Sequence, residues 1–141
     1  MSVTLIDVVD KKTLEVGVNG PDDIHTLVIA TGVALFTYRG SGDQFIRDTV
    51  AIPTGVFIND PGTFRGASAI AALASIANDG VANNAGWAVD SVRAPDPAPV
   101  GEYTLTANVA VRDSDGFLLR IVYQANLLFT QSPFPHEPPF P

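Results

Sequence analysis

"EYTLTANVAVR", residues 102–112, and "FLLRIVYQANLLFT", residues 117–130, flank the short stretch "DSDG" at 113–116. Both flanks alternate apolar and polar residues and are rich in β-branched and aromatic side chains, the pattern of half-buried strands. Between them stand two acids one residue apart with a glycine behind, which could open a metal loop or only turn the chain. Register separates these readings. If Asp115-Gly116 were a two-residue loop, Val111 would face Arg120 and Arg112 would face Leu119, a charge against a core residue each time. If the loop is Ser114-Asp115-Gly116, then Val111 meets Leu119, Val109 meets Ile121, Ala107 meets Tyr123, Leu105 meets Ala125 and Tyr103 meets Leu127. The other face then pairs Thr106 with Gln124 and Thr104 with Asn126. A one-residue slip would undo this sorting, and Gly116 supplies the left-handed residue that closes a three-residue loop. A calcium loop of the EF-hand type needs glycine at its sixth position and glutamate at its twelfth. Here glycine stands fourth from Asp113, and no carboxylate follows until Glu137. The stretch therefore predicts a tight hairpin and no metal site.

Working outward, "IHTLVIATGVALFTY", 24–38, carries Val28, Ala30, Ala34 and Phe36 on one parity and Leu27, Ile29, Val33 and Leu35 on the other. A strand apolar on both sides is one covered on both sides, by a second layer or by another chain. Gly32 in its middle predicts a bulge or bend. "SVTLIDVV", 2–9, and "TLEVGV", 13–18, separated by Lys11 and Lys12, predict a first hairpin. "QFIRDTVAI", 44–52, is a strand that Pro53 ends or confines to an edge, and "NDPGT", 59–63, is a Pro-Gly turn in which the glycine takes positive φ.

The middle is ambiguous. "SAIAALASIANDG", 68–80, has five alanines, and alanine is the best helix former. Ser68 suits an N-cap and Gly80 a C-terminal cap, so propensity favours one short helix near 68–78. The rival reading is a hairpin turning at Asn78-Asp79-Gly80. Strand character returns around Trp87, Val89 and Val92, before the proline-rich loop "PDPAP" at 95–99.

The 141 residues fit one domain, read as a β-rich body over 1–131 and a proline-rich tail over 132–141. In "QSPFPHEPPFP", five prolines impose an extended course on the tail, and Phe134 and Phe140 are its anchors against this chain or a neighbour. Net charge is −7 with only eight Lys plus Arg, and no basic cluster forms, which argues against nucleic acid and anionic membranes as partners. Cysteine is absent, removing disulfides, thiolate metal sites and a cysteine nucleophile. Neither a signal peptide nor an apolar run of ~20 residues is visible, so a soluble, cytoplasmic protein is expected. Charged residues make up 16%, against roughly 25% in ordinary domains. So little charge to cover a surface predicts a homo-oligomer that hides apolar area.

Candidate chemistry is sparse. His25 and His136 are the only histidines, and His25 reads as a hydrogen-bonded structural residue. Asp48, Asp90 and Arg47 fall within strands, where a structural ion pair such as Asp48 with Arg120 is the simplest reading. "NNAGWAVD", 83–90, is the best binding patch. Trp87 beside Asn83, Asn84 and Asp90 has the composition of a sugar or small-molecule site, an aromatic platform among amide and carboxylate groups. The competing reading places Trp87 in the core. No catalytic set, metal site or cofactor is expected.

The sequence thus predicts an antiparallel β-sandwich or flattened barrel of about seven to eight strands. Its expected function is that of a non-catalytic structural or binding module that self-associates. The alternatives are a ligand-binding module centred on Trp87 and, third, a small β-barrel cyclase or isomerase acting by pocket shape.

Overall fold

The computed structural model of the chain describes residues 2–40, 44–78, 86–112 and 114–130. Seven strands run in order: β1 (Ser2–Gly17), β2 (Ile24–Gly40), β3 (Ile46–Ile58), β4 (Phe64–Asn78), β5 (Gly86–Arg93), β6 (Gly101–Arg112) and β7 (Ser114–Phe129). All pairings are antiparallel. They form a four-stranded sheet of order β1-β2-β7-β4 and a three-stranded sheet of order β3-β6-β5. The two pack as the expected sandwich. A single 3-10 turn, Pro61–Thr63, is the only helical element among the described residues.

Alternation builds the core. Val28, Ala30, Ala34 and Phe36 of β2 and Ile121, Tyr123, Ala125 and Leu127 of β7 are buried on the inner face of the larger sheet. Val50, Ile52, Tyr103, Leu105, Ala107 and Val109 come to meet them from the smaller sheet. The rings of Tyr103 and Phe129 both pack against Phe64, with centroids 6.1 and 5.9 Å away, and close one end of the core.

The structure corrects the hairpin at 113–116. β6 pairs with β3 and β5, whereas β7 pairs with β2 and β4, so the two strands lie in different sheets. Ser114 and Asp115 belong to β7 and stand opposite Gly40 and Arg39; Asp113 lies outside the described residues. The apolar parity of both strands was read correctly, because the sandwich interior selects the same residues. Tyr103 and Leu127 are both buried, each on its own sheet, rather than side by side in one.

The helix at 68–78 is also corrected. These residues form β4, laid along β7 with Ser68 opposite Asn126 and Leu73 opposite Ile121. Alanine's helix preference amounts to tenths of a kcal/mol per residue. A strand of the same residues gains a full hydrogen-bonded ladder and turns Ala67, Ala69, Ala71 and Leu73 toward the core.

The first hairpin likewise becomes one strand. β1 runs unbroken through Lys11 and Lys12 against β2, and the lysines are tolerated because β1 is an edge strand. Gly32 sits in regular pairing with Val9 and Tyr123, so it marks no bulge. Pro53 lies inside β3, which is an edge strand as proline requires. The turn at 59–63 is the 3-10 turn, capped by Asp60, whose carboxylate accepts the Gly62 amide at 3.0 Å. Gly62 is not among the positive-φ glycines.

Candidate functional site

The patch around Trp87 is only partly assembled by the described residues. Trp87 lies in β5 opposite Val111, while Asn83 and Asn84 lie outside the described residues. Asp90 is exposed, and its carboxylate is engaged by the Arg47 guanidinium of β3. The group proposed to hold a ligand hydroxyl is therefore already occupied by a cation. The expected partnership of Asp48 with Arg120 fails on topology. Asp48 belongs to the smaller sheet and accepts the Thr49 amide, whereas Arg120 belongs to β7 in the larger one, on the parity opposite to buried Ile121.

His25 is buried, and its Nδ1 lies 3.3 Å from the Asp23 carbonyl oxygen and 3.5 Å from the Asp23 carboxylate. That is the local structural role expected of it. His136, Phe134 and Phe140 lie outside the described residues, as does the whole tail. Among the described residues no group of three or more His, Asp or Glu side chains gathers.

A polar cluster that the sequence did not reveal sits at the seam of β1 and β3. Between Pro53, opposite Thr104, and Phe57, opposite Glu102, three residues of β3 stand against Tyr103 alone. The extra residues form a bulge in which Gly55 takes φ +78°, a conformation that side chains other than glycine resist. The Glu102 carboxylate accepts the Gly55 amide at 3.0 Å, and Lys11 Nζ donates to the Gly55 carbonyl at 3.0 Å. Thr54 Oγ1 donates to the Tyr103 carbonyl at 2.6 Å and accepts the Val56 amide at 3.3 Å. Lys11 and Glu102 are 44 and 47 residues from Gly55, too far apart for local spacing to signal the contact. Each charged group here serves the backbone of the bulge.

Two tyrosines place hydroxyls in the interior as well. The Tyr103 hydroxyl donates to the Pro95 carbonyl and pins the loop between β5 and β6. Burial pushes its pKa up to about 12, with the negative charge of Asp96 adding to the effect and Arg93 opposing it. Tyr123 is buried, and its hydroxyl finds no partner among the described residues. Its pKa is raised, first by burial and then by the charge of Glu102. Both phenols are held neutral, the form suited to packing rather than to proton abstraction.

The two outward faces of the sandwich differ. On the smaller sheet, Thr49 Oγ1 donates to Asn108 Oδ1 and Asn108 Nδ2 donates to Ser91 Oγ, both at 2.9 Å. With Arg47 and Asp90 beside them, polar groups cross the width of this face. On the larger sheet, Leu27, Ile29 and Val33 of β2 are half-buried on the outward parity. Val122 and Ile70 continue the apolar surface at 40% and 67% exposure. Asp10 and Lys12 of β1 and Arg120 of β7 stand on the same outward parity, and a hydrogen-bonded line from Gln124 to Asn126 to Ser68 crosses the face. Beside it runs a shallow groove of about 250 Å³, lined by Thr31, Ile70, Ala71, Ala72, Val122, Tyr123 and Gln124. No charged residue lines it, so it can offer apolar contact and a few hydrogen bonds but no acid–base pair. Sequence reasoning missed Ile70 and Ala72 as exposed strand residues because alanine content spoke for a helix.

No helix in the described residues is long and apolar enough to cross a membrane. Compared with known proteins, the chain matches no family model, no curated protein and no solved structure.

Proposed function

We propose that this protein is a non-catalytic structural module that self-associates through its four-stranded sheet. The observation that carries this reading is the contrast between the outward faces. One is crossed by paired polar and charged side chains, and the other presents Leu27, Ile29, Val33, Val122 and Ile70 alongside Asp10 and Lys12 of edge strand β1 and Arg120 of β7. Contiguous exposed apolar surface on a folded domain marks a contact site, and an identical copy is the commonest partner for one. The low charge content of the whole chain points the same way.

A ligand site centred on Trp87 gains no support, because Asp90 is engaged by Arg47. Light scattering over a wide concentration range tests the proposal. The expected mass at micromolar concentration exceeds the 14.8 kDa of one chain; a constant monomer mass at every concentration would falsify it.

A further inference from the structure

Four strands form the edges of the two sheets, β1 and β4 of the larger and β3 and β5 of the smaller. An edge strand presents unpaired amides and carbonyls, and proteins guard such edges with charge, proline or bulges. β1 carries Asp10, Lys11, Lys12 and Glu15. β3 carries Arg47, Asp48, Pro53 and the bulge at Gly55. β5 carries Asp90 and Arg93 and a register shift between Val89 and Ser91.

β4 is the exception. From Gly66 to Asn78 it has no charged residue and no proline. Its register shifts lie at either end of an unbroken run, Gly66 to Leu73, that pairs regularly with β7. Among the described residues no strand pairs with its other edge. It is under-covered on its faces as well. Ala67, Ala69, Ala71 and Leu73 reach the core but stay only partly buried, and Ile70 on the outward side is 67% exposed.

Resting on the self-association proposed above, we infer that the contact is antiparallel pairing of β4 with β4 of a second copy, which joins two four-stranded sheets into one eight-stranded sheet. Three features select a second copy as the occupant. A two-fold axis through the strand satisfies both unpaired edges in one isologous contact. Each copy carries a net charge of −7, so two copies approach with least repulsion along the Gly66–Asn78 run, which has no charge. The small side chains of the run, with Ile70 the largest on its outward parity, let two backbones come to the ~4.8 Å of a strand pair without a clash.

Hydrogen exchange on the wild-type chain, combined with sedimentation of two variants, tests the inference. Amides of the Gly66–Leu73 run that point to the free edge are expected to exchange at least tenfold more slowly in the associated species than after dilution to monomer. Ala72→Lys puts a charge into the paired run at an exposed position and is expected to weaken association at least tenfold, with the monomer's melting temperature preserved. Val33→Lys, on the apolar outward face and two strands from β4, is expected to weaken association too, but less than Ala72→Lys does. An associated species whose edge amides exchange as fast as in the monomer, or one broken by Val33→Lys and not by Ala72→Lys, would overturn edge pairing while self-association stood. Protection of the edge at every dilution would overturn it too, by showing that the chain's own residues cover β4. A wild-type chain that never associates removes the reading on which the inference rests.

Discussion

The Glu102 carboxylate and the Gly55 amide, 47 residues apart in sequence, meet at 3.0 Å. This contact and the Lys11 donation to the Gly55 carbonyl tie β1, β3 and β6 together at one bulge. Removing the carboxylate leaves a part-buried amide without its charged acceptor. Glu102→Ala is therefore expected to cost about 1–3 kcal/mol in denaturant unfolding. Gly55→Ala is expected to cost about 1 kcal/mol for a different reason. A Cβ at this position meets Val9 at an ordinary 3.5 Å, but the backbone holds φ +78°, where alanine is strained.

Tyr103 sets the alkaline limit. Its pKa rises from near 10 unfolded to about 12 folded, because burial disfavours the phenolate. A raised pKa means that the stabilisation is fully present below pH 10 and is lost as pH climbs through about 12. The melting temperature is thus expected to fall steeply between pH 10 and 12. Tyr103→Phe, which has no proton to lose, is expected to flatten that fall, and to cost about 1 kcal/mol at neutral pH through the lost hydrogen bond to Pro95.

The pair of Arg47 and Asp90 is solvent-accessible, with the arginine side chain 68% exposed. Exposed ion pairs contribute little after side-chain ordering and salt screening. Arg47→Ala is expected to change unfolding stability by less than about 1 kcal/mol. A loss several times larger, measured by chemical denaturation, would show that the pair supports more than the surface it occupies.

Ionic strength reports on the self-contact. With −7 on each chain and a contact run, Gly66–Asn78, that has no charge, added salt screens repulsion without weakening an attractive ion pair. Association measured by sedimentation is expected to tighten from low to high salt. Weakening would point to charged groups across the interface.

The inward parity of β2, β6 and β7 was legible because a period of two assigns residues to a face whatever the strand pairs with. The sheet to which a strand belongs was not legible from that period. The residues that sort correctly in a β6–β7 hairpin sort equally well when the chain crosses to the other layer, and only the pairings of Thr26 with Phe129 and Asp48 with Val109 decide it. At 68–78, alanine's local preference misled because the deciding interaction, the ladder to β7, lies about 50 residues away. Of the binding patch, Asp90 was correctly placed on a strand, but its partner Arg47 comes from the far side of β6. The bulge at Gly55 depends on Lys11 and Glu102 and has no local signature.

The placement of β7 at the heart of the larger sheet also orders the birth of the fold. During synthesis β1 and β2 can pair as soon as both have left the ribosome, but β2 and β4 gain the strand that joins them only when β7 follows. Until then β4, with its uncharged run from Gly66 to Asn78, lacks its one neighbour. Sheets closed by such distant partners assemble slowly, on the order of milliseconds to seconds. The nascent chain thus passes through an interval in which the uncharged run of β4 is bare on both edges.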